Sequence, residues 1–418
     1  MKKSIKERIR YLMRTNKFLH PIYKLVIFKK RKMVYLRFHK KLPLRENTII
    51  FEAFQARRYD CSPRGIYEAA LKDERFKDFK FIWVVRNVKA FAFLNKKPNT
   101  IVIKHNTRRY LRECATAKYI VTNSTLPSYI APGKDQVVVQ TWHGIPLKRL
   151  GCDIKSTTNT CQKLPEIHRQ YKAQGKKADY FISPSAFYTE KVSSAFNQTS
   201  PEARKKFFEC GYPRNDFLFS HTKEDVKKVK EKLGIPMDKK VILYAPTFRD
   251  NMYETGKGFH YDIGVDFDKL QKELSDEYVI LFRAHYFIVD KFDLSKYKGF
   301  VYNVSRYSNI NHLYIISDML ITDYSSVFFD YANLKRPMLF FMYDYELYKN
   351  DTRGFYLDKS DLPGTIVYKM DELCSAIKKT EEEFSYDKHY EEFNERFNTY
   401  NDADSGKRAL DLFFKNKI

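Results

Sequence analysis

The amino-acid sequence predicts an α/β protein made of two doubly wound halves that face each other across a cleft. Three observations predict it. Short apolar runs alternate with helical stretches from Asn47 onward, the alternation restarts after a charged interval, and 418 residues are too many for one ordinary core. In the first series the runs are "TIIFEAF", "FIWVV", "TIVI", "KYIVTNS", "VVVQTWHG" and "DYFISPS". Strands separated by helix-length intervals read as βαβ units with a parallel sheet. The charged interval is "HTKEDVKKVKEKLGIPMDKK", His221 to Lys240, and the second series is "VILYAPTFRD", "YVILFRAH", "GFVYN", "DMLITDYSS" and "PMLFFMYD". A length prior of roughly 150 residues per domain gives two or three units. The expected division is a basic segment over 1–45, a first half over 46–220 and a second half over 221–418 that ends in closing helices. Neither half opens with a G-x-G-x-x-G turn, which removes support for an ordinary dinucleotide-binding dehydrogenase.

The first segment carries the charge. Met1 to Lys41 holds 15 Lys and Arg against one acid, Glu7, so more than half of the net charge of +25 sits in a tenth of the chain. Ile5, Ile9, Leu12 and Met13 fall at helical spacing among Lys6, Arg8, Arg10 and Arg14, and Pro21 interrupts them. A second apolar set, Ile22, Leu25, Val26, Ile27 and Phe28, precedes "KKRK", Met33, Leu36 and Phe38. Basic residues beside an apolar face suit a helix lying on an anionic membrane surface, and equally a helix packed on its own domain with a solvated basic side. No stretch approaches the roughly 18 uncharged residues of a membrane span, and no signal peptide is visible. The six cysteines form no CxxC pair, so neither a zinc cage nor a disulfide framework is indicated and a reducing cytoplasm is expected. RNA- and DNA-reading motifs are not evident, so nucleic acid is not the expected partner of this charge.

In open α/β sheets ligands sit beyond the carboxyl ends of the strands, so the residues after each run are the candidates. "QTWHGIPLKRLG" follows Val137 to Val139 and puts His143 and Gly144 there. Histidine suits a general base at neutral pH, and it can equally bond a loop backbone group. "ITDYSSVFFDYANL" ends a strand at Ile321 and starts a helix near Val327, so Thr322, Asp323, Ser325 and Ser326 lie at a helix N-terminus. Free N–H groups and hydroxyls there suit phosphate, and ordinary N-capping by Asp323 or Ser325 explains the same residues. Thr247 and Arg249 of "YAPTFRD", and Arg283 and His285 of "LFRAHYF", also follow runs of the second half. Arginines at these strand ends suit phosphate oxygens. Acidic D-x-D clusters are missing from the strand ends, so a required metal is not indicated, and no cofactor is expected.

"TWHGIPLKRLG", "GYPRND", "YAPTFRD", "FRAH", "TDYSSVFFDYANLKRPMLFF" and "RGFY" (Arg353 to Tyr356), in that order, resemble the signature blocks of the CDP-glycerol glycerophosphotransferases of teichoic acid and capsule synthesis in Gram-positive bacteria. The resemblance implies a GT-B-like architecture, with the cytidine nucleotide on the second half and the lipid-linked acceptor on the first half and the membrane. It implies transfer of glycerol phosphate from CDP-glycerol to a hydroxyl of an undecaprenyl-diphosphate-linked acceptor, with release of CMP at the cytoplasmic face of the cell membrane. Carried over by motif, the catalytic histidine falls on His143 and the second active-site histidine on His285. The donor-phosphate residues fall on Arg249, Thr322, Ser325, Ser326 and Arg353. The family usually has proline before the second histidine, where this chain has Ala284. Ribitol phosphate transfer, or glycosyl transfer from another activated donor, fits the same fold.

Overall fold

The computed structural model describes residues 16, 18–156, 163–247, 264–284, 293–346, 348 and 354–415, and the backbone of one small hairpin. Arg249, His285 and Arg353, and the apolar residues Ile5, Ile9, Leu12 and Met13, lie outside the described residues.

Two parallel sheets form the frame. The first contains β1 (Arg45–Glu52), β2 (Lys80–Val85), β3 (Thr100–Lys104), β4 (Ala117–Thr122), β5 (Val137–Gln140), β6 (Tyr180–Ser183) and β7 (Phe207–Glu209), in the order β3-β2-β1-β4-β5-β6-β7. The second begins with β8 (Lys240–Ala245); the hairpin strands β9 (Tyr253–Glu254) and β10 (Gly258–Phe259) pair apart from it. Its other strands are β11 (Tyr278–Phe282), β12 (Val301–Asn303), β13 (Met319–Thr322), β14 (Met338–Phe341) and β15 (Thr365–Val367), in the order β12-β11-β8-β13-β14-β15. Counted within each half, the second order reads 3-2-1-4-5-6 and the first reads the same with a seventh strand added at its edge, the doubly wound arrangement. The fold class expected from the alternating runs is therefore present twice.

The strands are apolar throughout because both faces of each sheet are covered. In β1, Ile49 and Phe51 enter one core and Ile50 the other. In β8, Val241 and Leu243 enter the core that also receives Ile49 and Phe51, while Ile242 faces a separate core. One apolar cluster thus continues from the first sheet to the second. Each large side chain buried in it contributes roughly 1.5–3 kcal/mol, so the halves are held as one body around the cleft.

Two local features at the ends of the chain have simple causes. Pro21 lies in the first turn of the helix Leu19–Lys41, which carries the second apolar set and runs through "KKRK"; the first apolar set lies outside the described residues. Proline is tolerated there because first-turn N–H groups have no intrahelical acceptor. That helix is pinned by the fully buried Tyr35, whose hydroxyl donates to Gln136 Oε1 at 3.3 Å. At the other end of the chain, the helix Ser405–Leu410 leaves the second half and packs on Cys61–Ala70 of the first. Gly406 makes this possible: a Cβ there would stand 3.2 Å from Gly65 O and 3.0 Å from Asp216 Oδ2. Tyr119 Oη donates to Phe413 O at 2.6 Å and fastens the same segment.

Candidate active site

In a doubly wound sheet the order reverses between its first and fourth strands, and the ligand crevice opens there. Here both reversals, β1/β4 and β8/β13, open into one cleft of about 580 Å³. Phe54, Arg57, Arg58 and the Trp142–Leu150 loop line it from the first half. Pro246, Thr247, Arg283, Ala284, Ser305 and the Tyr324–Val327 turn line it from the second.

His143 is aimed by the residue before it. Trp142 adopts a left-handed backbone with φ 49°, a conformation costly for a bulky residue and held here by several contacts. Its N–H donates to Gln140 Oε1 at 2.9 Å, and its indole packs edge-on against Phe196 at 5.3 Å. The same indole stacks under the imidazole at 4.3 Å. The rare tryptophan at the end of β5 is thus the floor on which the histidine rests. His143 Nδ1 lies 2.8 Å from Asn123 O. A carbonyl can only accept, so Nδ1 carries the proton and Nε2 holds the lone pair of the neutral ring. The ring is solvent-accessible from the cleft yet crowded by protein. That desolvation pushes its pKa below the ordinary histidine value; the bond to Asn123 opposes the shift and the Arg214 charge adds to it. At neutral pH the ring is an unprotonated acceptor.

The polar turn of the second half sorts into two groups. Ser325 and Ser326 line the cleft. Ser326 is the N-cap residue of the helix Val327–Tyr331 and makes no side-chain capping bond, so neither Asp323 nor Ser325 is the cap. The helix has only five residues, so hydroxyls and free N–H groups, more than a long dipole, define this wall. Thr322 and Asp323, expected beside them, do not line the cleft. Thr322 is buried and its hydroxyl donates to Ala245 O at 2.8 Å; Asp323 Oδ1 accepts from the N–H groups of Thr247 at 2.8 Å and Tyr324 at 2.5 Å. They fasten the end of β13 to the end of β8, because the last residues of a parallel strand still face its neighbours. Arg283 reaches the cleft, but its Nη1 donates to Val304 O at 3.1 Å and Tyr307 O at 3.0 Å. Beside it the N–H of Ala284 donates to Ser305 Oγ at 2.9 Å, a bond that proline at this position could not make.

Among the described residues no group of three or more His, Cys, Asp or Glu is disposed to hold a metal ion. No helix among them is long and apolar enough to cross a membrane.

A sequence model of the CDP-glycerol:poly(glycerophosphate) glycerophosphotransferases matches residues 34–415. The chain belongs to this family. It is 38% identical over 372 residues to a teichoic acid poly(glycerol phosphate) polymerase of Bacillus spizizenii, covering 88% of this chain and 92% of that one. It is 38% identical over 378 residues to the corresponding polymerase of Bacillus subtilis, covering 90% of this chain but half of that longer one. The solved structure of the wall teichoic acid polymerase TagF superimposes with a TM-score of 0.82 at 34% identity, over 94% of this chain and 95% of the other.

In this glycerophosphotransferase the remaining sequence blocks explain how the two halves of the site are joined. Arg214 of "GYPRND" donates from Nη1 to His143 O at 2.6 Å and from Nη2 to both oxygens of Asp330, at 2.6 and 2.5 Å. Asp330 lies on the helix that follows Ser326, so one guanidinium ties the histidine loop to the serine wall. The loop after His143 makes a second tie with "RGFY". Arg149 N–H donates to Gly354 O at 2.9 Å and Tyr356 N–H to Leu147 O at 2.8 Å, a short antiparallel bridge between halves. Tyr356 Oη donates to the Asp153 carboxylate. The sequence reading passed over Arg214, Asp330 and Asn123. Arg214 and Asp330 stand inside quoted blocks, and only their approach in space shows the pairing.

Gly144 faces the serine wall across the cleft. A Cβ there would stand 3.1 Å from Ser326 Oγ and 3.7 Å from Arg214 Nη2. Its φ is not in the left-handed region, so alanine is conformationally acceptable and slightly restricts the unfolded chain. Gly144→Ala is expected to leave unfolding free energy within about 1 kcal/mol of the parent yet lower kcat/KM roughly tenfold by displacing His143 from Ser326. Urea titration and steady-state kinetics on the same preparation check both halves of that statement.

Proposed function

We propose that this chain transfers glycerol phosphate from CDP-glycerol to a terminal hydroxyl of an undecaprenyl-diphosphate-linked acceptor and releases CMP. The observation that carries the proposal is the neutral His143, with Nδ1–H committed to Asn123 O, in a cleft walled on the far side by Ser325 and Ser326. Nε2 removes the proton from the acceptor hydroxyl. The alkoxide oxygen attacks the phosphorus that bears glycerol, the new P–O bond forms as the P–O bond to CMP breaks, and CMP leaves with the electron pair. Ser325 and Ser326 hold the donor diphosphate, with Thr247 beside them. Arg249 and Arg353 are assigned to the same diphosphate by their place in the family blocks, and His285 is assigned as the second active-site histidine on the same ground, while Arg283 serves chiefly to fix the Val304–Tyr307 turn. Loss of Arg249 by substitution with alanine is expected to weaken CDP-glycerol binding by about 1.5–3 kcal/mol, the range of a hydrogen bond to a charged group. The deciding experiment supplies purified protein and a lipid-diphosphate disaccharide acceptor with CDP-glycerol, CDP-ribitol or a nucleotide hexose in separate reactions and reads product masses. Glycerol phosphate increments are expected; ribitol phosphate or hexose increments would replace the reading.

The same proposal places the protein peripherally on the cytoplasmic face of the cell membrane. The helix Leu19–Lys41 leaves Ile22, Leu25, Val26, Met33 and Leu36 exposed, beside Lys29, Lys30 and Lys32. Apolar side chains left exposed among the described residues, set among cations, suit an anionic bilayer surface, where each cation contributes about 1 kcal/mol. Changing Ile22, Leu25, Val26 and Met33 together to serine is expected to reduce co-sedimentation with anionic liposomes by more than about tenfold, while a soluble short-chain acceptor is still extended. Undiminished co-sedimentation would remove the helix from this role.

A further inference from the structure

The first half of the cleft carries cations that the donor side does not account for. After β1 the chain makes a turn in which three successive non-glycine residues, Phe54, Gln55 and Ala56, have φ of 49°, 55° and 63°. Left-handed backbone is unfavourable for each of them, so the turn exists only because its surroundings over-determine it. Phe54 N–H donates to Asn123 Oδ1 at 2.7 Å and Gln55 N–H to Ser124 Oγ at 3.1 Å. Arg86 holds the outer side, its N–H donating to Ala56 O at 2.7 Å and its Nε to Gln55 O at 3.0 Å. The product of this strain is the placement of Arg57 and Arg58 on the cleft wall that bears His143.

Among the described residues neither guanidinium is consumed by the fold. Arg57 is exposed, and the ion pair that Arg58 makes among the described residues is a 3.9 Å approach to Asp60, too long for a hydrogen bond. Arg58 instead lies over the Phe54 ring at 5.7 Å, and that ring is 5.8 Å from the imidazole of His143. Across the cleft stands Arg283, whose pKa is lowered by burial and further by the facing Arg58, against the opposing influence of Tyr314 and Asp60. Like charges that face each other over solvent suit an anion between them. The serine wall of the second half already offers donors to the diphosphate. The arginines lie on the side of the base, where the hydroxyl to be deprotonated must enter.

We infer that Arg57 and Arg58 form a subsite for a phosphate carried by the acceptor, the phosphodiester next to its terminal hydroxyl. Asn123 fixes the spacing, because its carbonyl orients His143 while its side chain holds the arginine turn. A hydroxyl presented at a set distance from a bound phosphate is what a chain ending in glycerol phosphate supplies, and a neutral sugar end does not. The inference rests on the reaction proposed above and names its acceptor specificity.

The test uses the full chain with Arg57→Gln, Arg58→Gln and the double substitution, and with Arg57→Lys and Arg58→Lys as charge-keeping variants. Two acceptors are compared, one ending in glycerol phosphate and one of equal length ending in an uncharged diol. The double substitution is expected to raise KM for the phosphate-ended acceptor by tenfold or more, to leave the donor KM within twofold, and to erase the preference over the uncharged acceptor; the lysine variants recover part of that preference. A rise in donor KM with the acceptor preference intact would assign the arginines to the donor, and no change in either constant would make them surface residues; each result overturns the inference. Calorimetric binding of a glycerol phosphate oligomer without donor separates the two readings. Oligomer binding that the double substitution abolishes, in a protein that makes no product, would sink the proposed reaction and keep the subsite; product formation with oligomer binding untouched by the substitution would do the reverse.

Discussion

Replacing His143 by asparagine is expected to lower turnover by roughly 10²- to 10⁴-fold, the usual contribution of a positioned general base, while donor affinity and fold persist. The structure gives the reason for choosing asparagine. Its side-chain amide can donate to Asn123 O as Nδ1–H does now, so the strained Trp142 turn and the stacking below it keep their partner, and the lone pair of Nε2 is what is lost. The pH profile makes the assignment specific. The neutral ring is the working form, so the parent rate falls as pH drops through the pKa of His143. That pKa is held below the ordinary value near 6.5 chiefly by desolvation, so the acid limb lies on the low side of 6.5. The variant has no such group and its residual rate loses that limb. A variant that transfers glycerol phosphate at near the parent rate, or that keeps the acid limb, would make His143 structural and turn attention to His285.

The reach of the sequence is clearest at the strands. Every apolar run of the two alternating series became a strand, because both faces of each sheet are buried and continuous apolar character is visible in one dimension. The strands that were not foreseen among the parallel sheets, β7 "FFE" and β15 "TIV", are three-residue edge strands, too short to show a pattern. At the site, position along the chain was legible and direction was not. Thr322 ends β13 and Asp323, Ser325 and Ser326 follow it, yet the first two turn inward to bind the end of β8 and its following loop, and only the serines reach the cleft. His143 was legible because glycine and tryptophan are conspicuous at a strand end. The turn of Phe54 to Ala56 was not, since left-handed backbone in residues other than glycine leaves no compositional mark. Pairings across the cleft, such as Arg214 with Asp330 over an interval of 116 residues, have no local signal at all.

That pair should give the largest change in stability of any single substitution near the cleft. The side chains of Arg214 and Asp330 are only 12% and 7% exposed, and Asn215 Nδ2 donates a third bond to the carboxylate at 3.0 Å. Arg214→Ala leaves Asp330 buried without its cation, which costs about 3–5 kcal/mol, a large part of the 5–15 kcal/mol typical of a folded domain. Urea unfolding is expected to show that loss. Replacing both residues, Arg214→Met with Asp330→Leu, removes the unpaired charge and should recover most of the stability, because an apolar pair of similar volume is often no worse than a buried ion pair. Activity should not recover with it. Arg214 Nη1 also donates to His143 O at 2.6 Å, and methionine cannot hold that carbonyl, so the stable double variant is expected to keep its donor KM while kcat stays at least tenfold below the parent. A double variant with both stability and kcat restored would show that the guanidinium serves packing alone; a single variant that loses less than about 1 kcal/mol would show that Asp330 finds water when its partner is gone.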